Sequence, residues 1–432
     1  MSTTSVPAAL TEEVVHAHAE SREARTHRLS MATLLGIVGL VLLWAFFTTS
    51  GTAQFALSGA FDAQKLPTFS LPGKPVVIIC ALALLAVAAV MFIRRVSGTL
   101  MGILGAIAGL ATAVGFLTWA AAGRSLPFLV GDQMTGTILL ATPLVLGALC
   151  GIMCERAGVV NVAIEGQMLV AAFTAAVVGS VTKSILFAII GAVIAGVLMA
   201  AMLALFAIKY LVDHVVLGVV INLFATGLTG FLFSQLVRPR SAELNSGPTM
   251  QALPIPGLEK IPFFGKVLFS QTILVYVAFA CVVLVSVVLF RTKWGLRIRA
   301  VGEHPKAADT VGINVHAIQW SSVLFGGVFA GLGGAFFTVG SIGAFSKDIT
   351  VGYGFIALAA VIMGRWNPIL AAGIAIFFGF VTQLSTGLQT LNTPMPSDLL
   401  KMLPYIATIV AVAGLVGKVR APAADGTPFV KE

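Results

Sequence analysis

Residues 185–207 read ILFAIIGAVIAGVLMAAMLALFA, a run of 23 residues without a charge or a proline. An α-helix of about 20 apolar residues is long enough to cross the hydrocarbon core of a bilayer. Because lipid offers no hydrogen-bond partners to backbone N–H and C=O groups, such a run must satisfy its own backbone as a helix. Similar uncharged runs recur along the chain, separated by short polar stretches. The run therefore predicts one span of a multi-pass membrane protein.

The composition leads to the same class of protein. Hydrophobic residues make up 58% of the 432 residues and charged residues only 10%, compared with about 25% charged residues in a typical soluble domain. The net charge is +9, but the basic residues cluster between apolar runs and are not interleaved with aromatic residues. We therefore expect loop charge that orients the chain in a lipid membrane, and no nucleic-acid partner.

The fold class that we predict is all-α: a polytopic transmembrane helical bundle of about 10–12 spans, with both termini in the cytoplasm. The loop after Phe290 carries five basic residues and is the strongest evidence for this orientation. The least regular spans are 352–364, which is short, and 162–182, which contains Glu165. The predicted spans are residues 31–48, 75–93, 99–121, 135–153, 162–182, 185–207, 215–236, 270–290, 317–341, 352–364, 368–387 and 402–417.

The domain organisation follows from the positions of polar segments and motifs. We expect a cytoplasmic polar tail at 1–30, extra N-terminal transmembrane helices at 31–125, a main transmembrane domain at 130–418 and a cytoplasmic tail at 419–432. The first apolar run is long enough to be an uncleaved anchor. A polar linker, 50–74, follows this anchor. The Pro- and Gly-rich stretch 237–269 is predicted to be an external loop with little regular structure.

Two groups of small residues indicate helix packing. Cys150 and Cys154 are one helical turn apart, but no His or further Cys joins them, so we interpret them as core residues and predict no metal site. Gly327 and Gly331 form a small-xxx-small pair of the kind that lets helix backbones approach closely in lipid.

The first motif is CERAGVVNVAIEGQML, from Cys154 to Leu169. Its polar residues interrupt an apolar stretch, and Gly158 and Gly166 would allow the helix to break there. A broken helix is tolerated in a membrane where a cavity receives its free backbone groups. Asn161, Glu165 and Gln167 are then candidates to line a polar substrate pathway. The alternative is a short cytoplasmic turn in which the charged residues are solvated or paired. The charged residues of this turn are Glu155 and Arg156.

The second motif is RTKWGLRIRAVGEHPKAADTVGINV, from Arg291 to Val315. Pro305 can begin a short helix and Gly312 can end it. Such a helix on a basic loop could dock onto a soluble partner, or the loop could be solvated and only set the topology.

Two further features interrupt apolar segments. Residues 364–368, which read GRWNP, predict a tight turn in which Pro368 starts the next helix. Asn222 lies inside the apolar segment VVLGVVINLFATGLTGF. It could hydrogen-bond a neighbouring helix or contact a substrate in a pore.

In this order, the first motif, the second motif and the stretch VGYGFIALAAVIMGRWNPI, from Val351 to Ile369, resemble permeases of the bacterial ABC importer family that serves simple sugars, nucleosides and branched-chain amino acids. The nucleoside-type permeases are most similar, with the pattern ER-x-G-V-x-N-[IV]-x-x-EG-x-M. The G-x-D-L-S-x-G pattern that is more frequent in the sugar-transporting branch is absent from this place. The resemblance covers 130–418. The residues that match the nucleoside-type pattern are Glu155, Arg156, Gly158, Val159, Asn161, Glu165, Gly166 and Met168.

The resemblance also implies roles and partners. The second motif is similar to the loop of such permeases that docks into a groove on the ATPase subunit, in a variant of the E-A-A-x-x-x-G pattern. Asn222 falls where these permeases carry an Asn. The implied partners are an ATP-binding cassette ATPase, a second permease subunit (a different chain) and an extracytoplasmic solute-binding protein, in the bacterial cytoplasmic membrane. The coupling residues are Arg299, Glu303, Ala307, Ala308 and Gly312.

The sequence indicates a transport subunit that has no cofactor and no catalytic residues of its own. Each Gly-Lys pair lacks the Ser or Thr that would end a P-loop, so ATP is expected on the partner ATPase. An ion-coupled secondary transporter is the alternative, but it would need several carboxylates deep in the spans, and Glu165 is the clear candidate. A membrane-embedded enzyme is disfavoured because no His or Asp cluster with ligand spacing appears.

Overall fold

A computed structural model describes residues 22–59, 65–94, 98–391, 393, 395–410 and 420–431. The chain divides into two compact units. The first is built mainly from the described residues of 22–56 and 67–128, and the second mainly from those of 129–390, 395–410 and 420–431.

The first unit contains three long helices and a small sheet. Strands β1 and β2 pair in antiparallel fashion, with Phe55 opposite Phe69, and the sheet order is β2-β1-β3. The polar linker predicted between the first two spans is therefore partly a β-hairpin. The indole N–H of Trp119 donates to the hydroxyl of Thr48 at 2.9 Å, which ties the ends of two helices together. The elements are α1 (Arg22–Thr48), β1 (Thr52–Ala56), β2 (Thr68–Pro72), α2 (Gly73–Ile93), α3 (Gly98–Ala121) and β3 (Phe128–Leu129).

The second unit contains the remaining helices. Among them, α6, α7 and α13 each continue into a π-helical turn. The segment 237–269 contains only short elements, none longer than six residues. The elements are α4 (Val130–Glu155), α5 (Ile164–Thr182), α6 (Ile185–Ala204), α7 (His214–Leu232), α8 (Ser241–Leu244), β4 (Ala252–Pro254), α9 (Phe264–Phe269), β5 (Ser270–Thr272), α10 (Ile273–Arg291), α11 (Lys293–Glu303), α12 (Pro305–Thr310), α13 (Val315–Phe337), α14 (Tyr353–Met363), α15 (Pro368–Thr390), α16 (Ser397–Lys401) and α17 (Leu403–Val410).

Ten helices of the described residues are long and apolar enough to cross a membrane, which confirms the polytopic helical fold. Two predicted spans differ from this set. Residues 352–364 form α14, whose 11 residues give a length of about 17 Å, roughly half the hydrocarbon thickness. Of the predicted span 402–417, the structure describes α17, and the rest lies outside the described residues.

Helices α4 and α13 are the most buried of the candidate spans. Glycines bring α13 into backbone contact with α6. A Cβ atom built on Gly331 would lie 2.5 Å from the Cα of Val193, and one built on Gly196 would lie 2.6 Å from the carbonyl oxygen of Gly327. The packing interpretation of the Gly327 and Gly331 pair is thereby confirmed.

Candidate functional site

The segment that joins α4 to α5 interrupts what would otherwise be one apolar helix. Helix α4 ends in a Schellman motif, in which the N–H of Val159 donates to the carbonyl of Cys154 at 3.1 Å and that of Gly158 to Glu155 at 3.0 Å. Gly158 has a φ of +85°, a left-handed conformation that is inexpensive only for glycine. The predicted break is confirmed, and α5 starts after it at Ile164.

A closed network of polar side chains fixes this break. Asn161 and Gln167 are fully buried. The amide of Asn161 donates to Gln167 Oε1 at 3.2 Å and lies within 3.4 Å of the sulfur atoms of Cys150 and Cys154. Its Oδ1 accepts the N–H of Ala163 at 3.1 Å. Because a buried polar group is costly unless it is bonded, this network holds the start of α5 against α4.

Asn222 of α7 binds the same break from the other side. Its Oδ1 accepts the N–H of Gly166 at 2.8 Å, and its Nδ2 donates to the carbonyl of Val162 at 2.9 Å. A Cβ atom at Gly166 would lie 2.9 Å from Asn222 Oδ1, so the glycine allows this approach. Gly166 thus lies inside α5 and serves a contact, whereas Gly158 forms the break. Asn222 makes the helix contact that the sequence allowed.

Glu165 joins the break to the short helix α14. Its carboxylate accepts hydrogen bonds from the hydroxyl of Thr350 at 2.5 Å, the N–H of Gly352 at 2.9 Å and the N–H of Gly354 at 2.6 Å. These amides belong to the first turn of α14 and its N-cap, where free N–H groups and the helix dipole favour an anion. Gly354 has no room for a side chain, because its Cβ atom would lie 2.4 Å from the nitrogen of Glu165. Glu165 therefore caps α14.

The other end of α14 is tied to the end of α4. The predicted turn after α14 is confirmed: the N–H of Trp366 donates to Val361 at 3.1 Å, and Arg365 and Trp366 have left-handed φ values of 54° and 53°. Trp366 is buried, and its indole N–H donates to the Glu155 carboxylate. The guanidinium of Arg156 donates to the carbonyl of Trp366 at 3.1 Å. Both charged residues of the first motif are therefore hydrogen-bonded to the turn after α14, and Glu155 is buried.

The basic stretch 291–315 forms the two helices α11 and α12. The hydroxyl of Thr292 accepts the N–H of Gly295 at 3.1 Å and caps α11. Helix α12 starts at Pro305 and ends before Gly312, whose φ is +84°. The N–H of Ile313 donates to the carbonyl of Ala308 at 3.1 Å, as in a Schellman motif. The predicted short helix is confirmed.

The five predicted coupling residues differ in exposure. Ala308 is buried, whereas Glu303, Ala307 and Gly312 are exposed and Arg299 is half-buried over the ring of Phe290. Exposed Ala307 lies on α12 near Val311, whose side chain is 76% exposed. Helix α12 therefore presents Ala307 and Val311 to the outside of the chain.

The segment 420–431 packs against this loop and against the break. The N–H of Ala424 donates to the carbonyl of Gly302 at 2.9 Å, and the N–H of Gly426 donates to the carbonyl of Gly158 at 3.2 Å. The N–H of Ala423 donates to the Glu303 carboxylate at 3.3 Å. The end of α11 and the break after α4, which are far apart in sequence, thus both bind this short segment.

The end of this segment is anchored by packing and charge. Phe429 is buried in the hydrophobic core of the second unit, with its ring centroid 5.5 Å from that of His316. The ammonium of Lys431 lies 3.5 Å from the carboxylate of Asp309 on α12. The sequence predicted only a cytoplasmic tail here, because its few apolar residues form no recognisable pattern.

Packing of this segment is expected to depend on pH through Asp425. Burial raises the pKa of Asp425 to about 7, and its Oδ1 has no hydrogen-bond partner among the described residues. The packed segment therefore binds a proton more tightly than a released one, whose Asp has a pKa of about 4. Packing should be favoured at low pH and should weaken as the pH rises from about 4 to about 7.

The mobility of a spin label on Thr427→Cys, measured across this range, checks the prediction, and Asp425→Asn should reduce the dependence. Equal mobility at all pH values in the unmodified Asp425 background would contradict it. The Asn variant separates Asp425 from the other charged or titratable groups that pack against the segment. These groups are Glu155, Glu303, Asp309 and His316.

The predicted site residues fall into two groups. Asn161, Glu165, Gln167 and Asn222 meet at the break, where all four make hydrogen bonds, and the five coupling residues lie on or beside α11 and α12. That the first four line a substrate pathway stays a prediction. Sequence reasoning missed Thr350 and the glycines that Glu165 binds, although the Gly-Tyr-Gly at 352–354 before a short apolar run was an available signal.

Comparison with known proteins places this architecture in a family. The family model described as "branched-chain amino acid transport system / permease component" matches residues 133–412. The chain is 39% identical over 304 residues to the guanosine ABC transporter permease protein NupQ of Bacillus subtilis (strain 168), and 40% identical over 303 residues to the nucleoside ABC transporter permease protein NupC of Lactococcus lactis subsp. cremoris (strain MG1363). Each alignment covers 68% of this chain and 95% of the relative.

A third relative, the guanosine ABC transporter permease protein NupP of Bacillus subtilis (strain 168), is 25% identical over 305 residues, which cover 67% of this chain and 85% of the relative. No solved structure is significantly similar to the chain.

The family and the ten apolar helices found among the described residues make the chain a multi-pass protein of the plasma membrane and a transport subunit rather than an enzyme. These findings favour a transporter with further subunits over the ion-coupled secondary transporter that the sequence left as the alternative. The chain belongs to the branched-chain amino acid transport system permease component family, and it is a transmembrane permease subunit of an ATP-binding cassette importer.

Proposed function

We propose that this permease imports a nucleoside. The observation that carries the proposal is the identity of about two residues in five, over 95% of their length, to relatives named for guanosine and nucleoside transport. The nucleoside-type pattern around Asn161 supports the same substrate class.

The working complex that we propose has four kinds of subunit. An ATPase subunit hydrolyses ATP, because this chain lacks a P-loop. A solute-binding protein delivers the nucleoside from outside, and a second, different permease chain completes the pore. The relatives NupQ and NupP, both named as guanosine permeases of one organism, support a pair of different chains. Both termini would be cytoplasmic, with the transport domain at 130–418 following extra helices at 31–125.

Coupling is proposed to occur through α12. Its exposed face, with Ala307, Val311 and Gly312, would enter a groove on the ATPase, while buried Ala308 holds the helix to the chain. Glu303 would relay the motion, because it interacts electrostatically with Arg156. Arg156 binds the turn at Trp366, which ends α14. A displacement of α12 would thus reach the helix that Glu165 caps.

The four residues at the break are proposed to shape the substrate pathway by holding its walls. Asn161, Gln167 and Asn222 fix the start of α5, and Glu165 fixes the start of α14. A shift of either helix start would change the width and polarity of any path between them. This proposal needs no direct contact between the buried amides and the solute.

The test of the function is uptake by the reconstituted complex. The chain is co-expressed with the proteins that neighbouring genes encode, purified in mild detergent and reconstituted into liposomes. ATP is supplied on the side that carries the ATPase. We expect uptake of radiolabelled guanosine that requires both ATP and the solute-binding protein. Uptake of a simple sugar instead of guanosine would overturn the substrate class, and uptake without any ATPase would overturn the mechanism.

Substitution of Gly312 tests the coupling helix. Gly312 is exposed, has open space around its Cβ position and has a φ of +84°. An arginine there would project from the docking face, so we expect Gly312→Arg to reduce uptake by about tenfold, within the range of typical coupling energies, while ATP hydrolysis continues. Gly257→Arg is the matched control, because Gly257 has a φ of +85° and equally open surroundings. Equal uptake by both variants would remove α12 from the coupling path.

A further inference from the structure

The segment 420–431 connects the end of α11 to the turn after α4, two elements that also meet through the backbone contact of Gly302 with Arg156 and the electrostatic interaction of Glu303 with Arg156. A Cβ atom at Gly302 would lie 2.2 Å from the carbonyl oxygen of Arg156, so the end of α11 is in backbone contact with the turn after α4. Such contact transmits a push, because atoms resist overlap, but it resists separation only weakly. Backbone hydrogen bonds resist separation, and the segment supplies one to each side, at Gly302 and at Gly158.

The segment is built to stay in place. Gly426 has a φ of +75°, and small residues on either side let the backbone lie close to the break. Pro422 and Pro428 restrict the freedom of the released chain, which lowers the entropic cost of docking. Phe429 occupies the core beside His316, and Lys431 pairs with Asp309 on α12. Lys431 thus ties the end of the segment to α12, the element that is proposed to move, while Phe429 packs beside His316 at the start of α13.

We propose that residues 420–431 form a strap that transmits the pull of the coupling helix to the break after α4. The inference rests on the proposed coupling role of α12. An alternating-access cycle must move the helices in both directions. The contact between Gly302 and Arg156 transmits motion of the coupling helix toward the break, and the strap transmits its motion away from the break. Without the strap, ATP hydrolysis would displace α12 while the break stays behind.

Two variants and one matched control test the strap in the complete transporter. Phe429→Ser removes the buried anchor, whereas Val430→Ser changes a neighbouring apolar residue that is 59% exposed. A chain that ends at residue 419 removes the whole strap. We expect assembly with the ATPase and ATP hydrolysis to persist in all three, uptake to fall by about tenfold in Phe429→Ser and in the shortened chain, and uptake to stay normal in Val430→Ser. Full uptake by the shortened chain, or faster uptake, would overturn the strap.

A covalent rescue separates the strap from a loss of core packing. Asp309→Cys and Lys431→Cys are combined with Phe429→Ser, and the two thiols are joined by a short, reducible cross-linker. The native cysteines are buried, so the reagent is expected to react with the introduced pair in preference to them. Cross-linking should restore uptake and reduction should abolish it again. Uptake that stays low after cross-linking would contradict the strap. Failure of the proposed function is distinct, because the unmodified complex would then take up no guanosine.

Discussion

The variant Glu165→Ala is expected to lose most of its uptake and to unfold at lower temperature than the unmodified chain. The substitution leaves the N–H groups of Gly352 and Gly354 and the hydroxyl of Thr350 without their acceptor. Loss of a charged hydrogen-bond partner and of a helix cap costs about 2–3 kcal/mol. The ratio of α14 held in this position to α14 released from it would fall by about 30-fold or more.

The measurements are guanosine uptake by the reconstituted complex and thermal unfolding of the purified chain. Thr350→Val removes one of the three donors and should show a smaller effect on both. Glu243→Ala is the matched control, because Glu243 is an exposed acidic residue on the short helix α8. Normal uptake and normal stability of Glu165→Ala would mean that the carboxylate does not hold α14, and Glu165 would leave the proposed site.

For Gly331→Val we expect loss of the assembled transporter. The Cβ atom alone would lie 2.5 Å from the Cα of Val193 and 2.7 Å from the carbonyl of Ala192, and backbone atoms cannot rotate away as a side chain can. Helices α13 and α6 would have to separate, which exposes the core around Leu203 and Phe329. Overpacking of this kind costs about 3 kcal/mol or more.

The yield of folded chain and its co-purification with the ATPase report the effect. Gly109→Val is the matched control, since Gly109 is also a helical glycine, but no atom lies within 4 Å of its Cβ position. A Gly331→Val chain that assembles as well as Gly109→Val would show that α6 and α13 can move apart without loss of the fold.

The local features of the fold were predictable from the sequence, because a local cause produces each of them. The length of an apolar run decides whether a helix can span, so residues 185–207 were recognised as a helix. The break near Gly158 and the helix stop at Gly312 both rest on glycine in a left-handed conformation. These are properties of a few neighbouring residues. The apolar run 352–364 was predicted as a span, but its helix α14 has only 11 residues. Hydropathy alone does not distinguish a short buried helix from a membrane span.

The long-range contacts of the site could not be predicted. Glu165 binds Gly352, which is 187 residues away, and Glu155 binds Trp366, which is 211 residues away. No local pattern links such partners. The sequence also indicated a pathway role for Glu165 from its charge, whereas its partner, the start of α14, emerges only from the tertiary arrangement.

The cap on α14 also bears on how the transporter is energised. The amino end of a helix carries a partial positive charge, and Glu165 balances it from within the chain. The start of α14 therefore holds its counter-charge within the chain, and the proposed uncharged solute brings no charge for this cap to balance. Such a site suits a cycle driven by ATP at the opposite end of the coupling path.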